Sequence, residues 1–399
     1  ITLSGTIPYR TGSFTYTSGT VVSTGSTITV GAATTFTINN TGFSFNNITA
    51  AANVTFAGSQ ACTISGTYLC STAGVTHTFA ASKTYPITNM FIAGTAASKN
   101  TLKSSSGGST AAINLTNISA NYFLDVTDIN GSGGAAGWTF GGTLSNTSNW
   151  NTSSILYWVG AGSNWASNTS WSPYSGGVAI NISGFQPVST DNVAFDANST
   201  GNCVIAAAAT CNNLDMTGYS AARTWTVNNT LTVVGNLTFV NQFTVTTSSG
   251  TPILAKTVTS SITVSASGFN WPYNVQMPCT GSPVHTLSGG DLTIGGTLTV
   301  VGTGLSSTTL NGTGLNVYVK SVTAATNQQL AGTAKIIFNV SGGTWTGPII
   351  SDVQIAITAP AAPTDLTFSS STKNSGTLTY TSGNINNQNL IIIGSVSFI

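Results

Sequence analysis

The residues able to do chemistry are few. Every acid in the chain is Asp, there are two His, and Lys and Arg together number nine. Asp191, Asp196 and Asn198 fall together in STDNVAFDANS, an oxygen-rich set suited to Ca²⁺. The competing reading is that these short side chains cap their own turns. Asp125 and Asp128, in DVTD, are close enough for general acid/base work or a cation. No His, Glu or Arg lies near them in sequence, and turn capping ahead of NGSGG is the stronger reading. His77 in VTHTF and His285 in PVHTL each stand alone in alternating strand sequence, which favours structural roles. A serine nucleophile elbow needs a helix to receive it, and no helical stretch is evident. No catalytic residue is therefore assigned, and the chain reads as a non-enzyme without a cofactor, Ca²⁺ being the one candidate ion.

The five cysteines carry the other chemistry. Cys62 and Cys70 are eight residues apart in CTISGTYLC, as are Cys203 and Cys211 in CVIAAAATC. That spacing suits a bridge across a tight β-turn or between neighbouring strands, whereas metal sites would use CxxC or nearby His. Two disulfides, Cys62 with Cys70 and Cys203 with Cys211, are expected, with Cys279 left over. They imply an oxidising compartment.

Composition excludes several classes. Charged residues are 4% of the 399 residues and the net charge is +1. No long-range field exists to draw in nucleic acid, anionic lipid or an acidic substrate, so no nucleic-acid partner is expected. The longest apolar runs, such as Cys203 to Ala209, fall far short of the roughly 20 residues a spanning helix needs. So few charges also predict a fold that responds little to pH or salt.

The elements that must position these residues are strands. SFTYTSG, STITVG, TTFTINNTG and ANVTFAG place about one apolar side chain at every second position, with Thr or Ser between and Gly, Asn or Ser at the ends. TLTVVG occurs at Thr230 to Gly235 and again at Thr297 to Gly302, and GSFTYTSGT from Gly12 is echoed by GTLTYTSGN from Gly376. The expected fold is all-β, a parallel β-helix or solenoid or a string of β-sandwich modules. Three blocks are read: a β-rich repeat at 1–152, a Trp-capped block at 153–272 and a C-terminal block at 273–399.

The middle block opens on YWVGAGSNWASNTSWSPYSGG, where Trp158, Trp165 and Trp171 stand among turn formers. This predicts a looped, Trp-rich cap whose rings are candidate platforms for a glycan. With PVSTDNVAFDANS and CNNLDM after it, the stretch Tyr157 to Met216 resembles repeat modules of large secreted bacterial surface proteins, exported as adhesin-like arrays, and related phage-tail β-solenoids. Those modules pass from Trp-Val-Gly, Asn-Trp and Ser-Gly-Gly through Asp-Asn-Val-Phe-Phe-Asp-Ala-Asn-Ser to a Cys near Leu-Asp. Ala194 replaces the first aromatic of that segment.

The resemblance implies a secreted, cell-surface protein. The chain is accordingly expected to be a structural repeat unit of an extracellular fibre or adhesin. Its apolar terminal strands, Ile1 to Tyr9 and Leu390 to Ile399, would associate head to tail into oligomers or filaments. The alternative is a carbohydrate- or receptor-binding solenoid module of the phage-tail type.

Overall fold

A computed structural model gives the fold. It describes residues 2–350 except 10, 11, 134, 161, 162, 183, 184, 220–222, 240–242, 248–252, 304, 326 and 339–342, and beyond 350 the backbone of strand segments only. Every regular element among the described residues is a β-strand. Apart from one antiparallel pair, Ile155–Trp158 with Trp171–Ser172, the described strands pair parallel with the strand one coil before and one coil after, so the fold is a parallel β-solenoid and not a string of sandwiches. Thr27 pairs with Asn47 and Ile262 with Leu287, so a coil takes about 20 to 25 residues. No helix among the described residues is long and apolar enough to cross a membrane.

The chain divides into two compact units, one of residues 1–159 with 167–186 and the other of 160–166 with 187–399. In the first, one sheet runs from Thr6–Tyr9 to Ile129–Gly131, a second from Gly12–Tyr16 to Leu144–Ser145, and a third joins Ser119–Tyr122, Gly137–Phe140 and Trp150–Ser153. In the second unit, one ladder runs from Asn192–Ala194 to Ile391–Ile392 and another from Ala209–Cys211 to Val396–Phe398. A short third sheet joins Cys203–Ile205, Thr224–Val227 and Thr244–Thr246. Of the terminal strands, Thr6–Tyr9 pairs with Thr27–Val30, and Val396–Phe398 with Leu378–Ser382. Ile1, Leu390, 393–395 and Ile399 lie outside the described residues.

The period-two pattern does what it should. Thr34–Ile38 buries Thr34, Phe36 and Ile38 and turns Thr35 and Thr37 outward. Because pairing is in register, inward residues of successive coils form columns. Phe14, Phe36 and Phe56 are paired in turn, and the Phe36 and Phe56 rings stack at 5.6 Å. Phe79 extends the stack, 4.8 Å from Phe56. The two TLTVVG copies share one column, Leu231, Leu254, Val275 and Leu298, three coils apart.

At the corners, side-chain amides join the coils. Asn47 accepts the Thr67 N–H at 2.8 Å, Asn53 that of Thr76 at 2.8 Å, and Asn274 that of Thr297 at 2.8 Å. Asp291 serves Asn316 in the same way, its carboxylate accepting the backbone N–H at 2.8 Å and the side-chain amide at 2.9 Å. Backbone N–H groups that leave the sheet at a corner would otherwise lack partners, and a residue with a short carbonyl arm supplies them.

Candidate functional site

The structure corrects the cysteine reading. All five are free and buried. The eight-residue spacing spans a corner of one coil for Cys203 and Cys211 and the length of one strand for Cys62 and Cys70, and neither pair is set opposite in a hairpin. Cys203 lies on Cys203–Ile205 and Cys211 on Ala209–Cys211, strands of two different sheets. Cys62 precedes the strand Thr63–Cys70, which Cys70 ends. Burial pushes the thiol of Cys62 up to about 12 and that of Cys70 to about 11, and raises Cys203 and Cys211 well above the ordinary range. These thiols belong to the core. Cys279 is buried too, its sulfur accepting the Ser306 hydroxyl at 3.0 Å.

The tryptophan platforms are likewise corrected. Trp158 and Trp171 are 0% exposed and Trp165 is 2% exposed, so none presents a face to a glycan. Trp158 and Trp171 meet edge to face at 5.2 Å across an antiparallel pair of short strands in the first unit. Trp165 belongs to the second unit, packed 6.3 Å from Trp225 and 6.4 Å from Phe195. Turn-forming neighbours indicated loops, yet only Trp165 lies in a turn while Trp158 and Trp171 stand on strands, and rings this large are the best available filling for an interior.

The Asp residues serve their own turns. Asp191 is buried, and its carboxylate accepts the Val188 N–H at 3.0 Å. Asp196 accepts the Asn198 N–H at 3.0 Å and the Ser199 hydroxyl at 3.2 Å. No group of three His, Cys, Asp or Glu able to hold a metal occurs among the described residues. Asp125 pairs with Lys99 at 3.4 Å and accepts from Thr143 at 2.8 Å, while Asp128 accepts the Gly108 N–H at 3.0 Å. The hydrogen bonds from Asn146 and Gly108 hold the Asp128 carboxyl below the usual range.

Both histidines are core residues. His77 occupies an inward column between Val54 and Leu102, with Nδ1 2.6 Å from the Tyr68 hydroxyl. His285 stands beside Ser260 one coil below, Nδ1 to Oγ at 3.1 Å. Burial lowers His77 to about 3, and burial with the nearby Lys256 charge lowers His285 to about 4. Lys256 itself is 3% exposed, reaches the Gly235 carbonyl, and is lowered by burial to about 8. Asp191, Cys211, Lys256, Ser260 and His285 thus form buried polar points inside the second unit, closed to solvent.

Shallow grooves among the described residues include one in each unit. In the first unit, Asn89, Phe91, Thr116, Asn117, Ile118 and Val178 line one of about 570 Å³. In the second, Asn270, Asp291, Thr293 and Tyr318 line one of about 450 Å³. The register sets Asn270, Thr293 and Tyr318 on three successive coils. Sequence reading missed both. The available signal was a broken alternation: Met90, Phe91 and Ile92 are consecutive apolar residues in a period-two strand, so one of them must face outward. Comparison with known protein families, with characterised proteins and with solved structures yields no match for this chain.

Proposed function

We propose that the chain is a structural repeat unit of an extracellular fibre or surface adhesin, a secreted, non-enzymatic element that assembles head to tail with further copies. The observation that carries this reading is the coil-to-coil clamp. Backbone ladders already join each coil to the next, and Asn or Asp side chains add a second bond at the corners, as at Asn47, Asn274 and Asp291. A unit built this way resists bending and local opening, because separating two coils breaks several hydrogen bonds together. Its outward positions are largely Thr, Ser and Asn with 4% charge in the whole chain, so neighbouring copies meet no electrostatic barrier.

Electron microscopy and sedimentation of the full chain at rising concentration test this. Filaments that lengthen with concentration support it, and removal of Leu390 to Ile399 should shorten or abolish them while the β-rich circular dichroism persists. A chain that stays monomeric throughout, unchanged by the truncation, defeats the fibre reading.

A further inference from the structure

The groove in the first unit has a chemistry that the structural reading leaves unused. Along Thr84–Ile92 the side chains of Tyr85, Ile87, Met90 and Ile92 are buried, so Phe91 faces outward and is half-buried. Its partner on the preceding coil is Leu69, also outward and half-buried. Ile118 and Val178 add exposed apolar surface, at 37% and 41%. Val178 is fixed by its N–H, which donates to the Tyr174 hydroxyl at 3.0 Å, and the Tyr174 ring stacks on Trp138 at 4.8 Å. Elsewhere on these strands the outward positions are mainly Thr, Ser and Asn, so an apolar floor here is not what the solenoid itself requires.

The rim is polar and oriented. Asn117 Nδ2 donates to Asn89 Oδ1 at 2.8 Å. That bond leaves Asn117 Oδ1 to accept and Asn89 Nδ2 to donate, on residues that line the same groove as Phe91. Adjacent hydroxyls on a sugar ring can engage such a pair, one donating and the other accepting, while the C–H face of the ring covers an aromatic. An apolar peptide or lipid chain would offer nothing to Asn117 Oδ1 and Asn89 Nδ2. Among the described residues, no charged side chain lines the groove.

We propose that this groove binds a neutral carbohydrate, with Phe91 as the stacking floor and the Asn89–Asn117 amide pair as the clamp on two neighbouring hydroxyls. The site is distinct from the buried tryptophans and does not depend on fibre formation.

The test is calorimetry and saturation-transfer NMR on the full chain with four probes: cello-, malto- and chito-hexaose, and anionic oligogalacturonate. At least one neutral hexaose is expected to bind, with oligogalacturonate weaker. Phe91→Ala and Asn117→Ala should each lower that affinity by about tenfold or more, since each removes a principal contact. Because both side chains face outward, the melting midpoint should hold, and this is measured in parallel. Should Phe91→Ala alone unfold the chain, Asn117→Ala decides the matter. The proposal fails if no neutral hexaose binds, or if variants with native melting bind as well as the native chain.

Discussion

Asn213 and Asn236 stand one coil apart, and the side-chain carbonyl of Asn213 accepts the Asn236 backbone N–H at 2.6 Å. Asn236 repeats the act on the following coil, accepting from the Ser261 N–H at 2.9 Å. Asn213 is itself steadied by donating to Asn192 at 2.7 Å. A corner is thus continued over several coils by one residue type. Asn is suited to it because the arm is short and carries both an acceptor and a donor.

The clamps should differ in worth according to burial. Asn121 is fully buried and makes three bonds, accepting from Ile92 N–H at 2.9 Å and donating to Ser119 Oγ at 2.7 Å and the Trp138 carbonyl at 3.0 Å. Asn121→Ala strands buried partners and should cost about 3 kcal/mol, whereas Asn236→Ala, at an exposed corner, should cost about 1 kcal/mol. Urea unfolding of the two variants checks the order. Equal losses would show that the clamp is not governed by desolvation.

Glycine is required where one coil passes close over another. A Cβ on Gly289, whose φ is +88°, would stand 1.8 Å from the Val264 carbonyl oxygen one coil below. Gly281 has a similar φ of +78° but nothing within 4 Å. Both substitutions to Ala carry the left-handed backbone cost of about 1–2 kcal/mol, and only Gly289→Ala adds a collision with backbone. Gly289→Ala should therefore be the more destabilising by about 2 kcal/mol or more in denaturant unfolding. Equal effects would mean that the coils can part there without loss.

The buried thiols give a direct chemical readout. All five should be silent to Ellman's reagent in the native chain and react together on denaturation, since every one is buried. Reductant should leave the melting midpoint unchanged. A midpoint that drops by several degrees in reductant would restore the expected disulfides against the free thiols of the structure.

Strand after strand was legible because the alternation is real and each strand has one dry face. Stretches such as TTFTI and TLTVV carry that pattern in full, and the TLTVVG repeat even marked a column of the core. What the sequence could not show was how strands meet. A hairpin and a solenoid corner both need Gly, Asn or Ser, so the spacing of Cys203 and Cys211 was compatible with either, and only the parallel register decides between them. Burial of Trp158, Trp165 and Trp171 was equally hidden, because loop sequence does not reveal whether another coil covers it. The outward Phe91 emerges only once the inward column through Met90 and Ile92 is fixed.

Low charge led to the expectation of a pH-insensitive fold, and the buried titratable groups revise it at the extremes. His77 and His285 ionise at about 3 and about 4 in the folded chain against 6.5 ordinarily. Between pH 6.5 and about 3 the unfolded chain therefore binds more protons, and stability falls as pH falls, by about 3 kcal/mol or more per histidine. Lys256, at about 8 against 10.5, acts in the same direction at higher pH: its buried charge opposes folding below about 8 and this penalty fades as pH rises towards 10.5. The thiols act oppositely. Cys62 and Cys70 ionise at about 12 and about 11 when folded but at 9.0 ordinarily, so above 9 the unfolded chain loses protons first and stability falls. Melting followed from pH 3 to 11 should thus give a plateau between about 6.5 and 8, a steep acid limb and a decline well above 9. His77→Gln should flatten part of the acid limb. A midpoint unchanged from pH 7 to 4 in the native chain would mean that His77 and His285 are protonated without cost, and that their burial in the apolar columns is wrong.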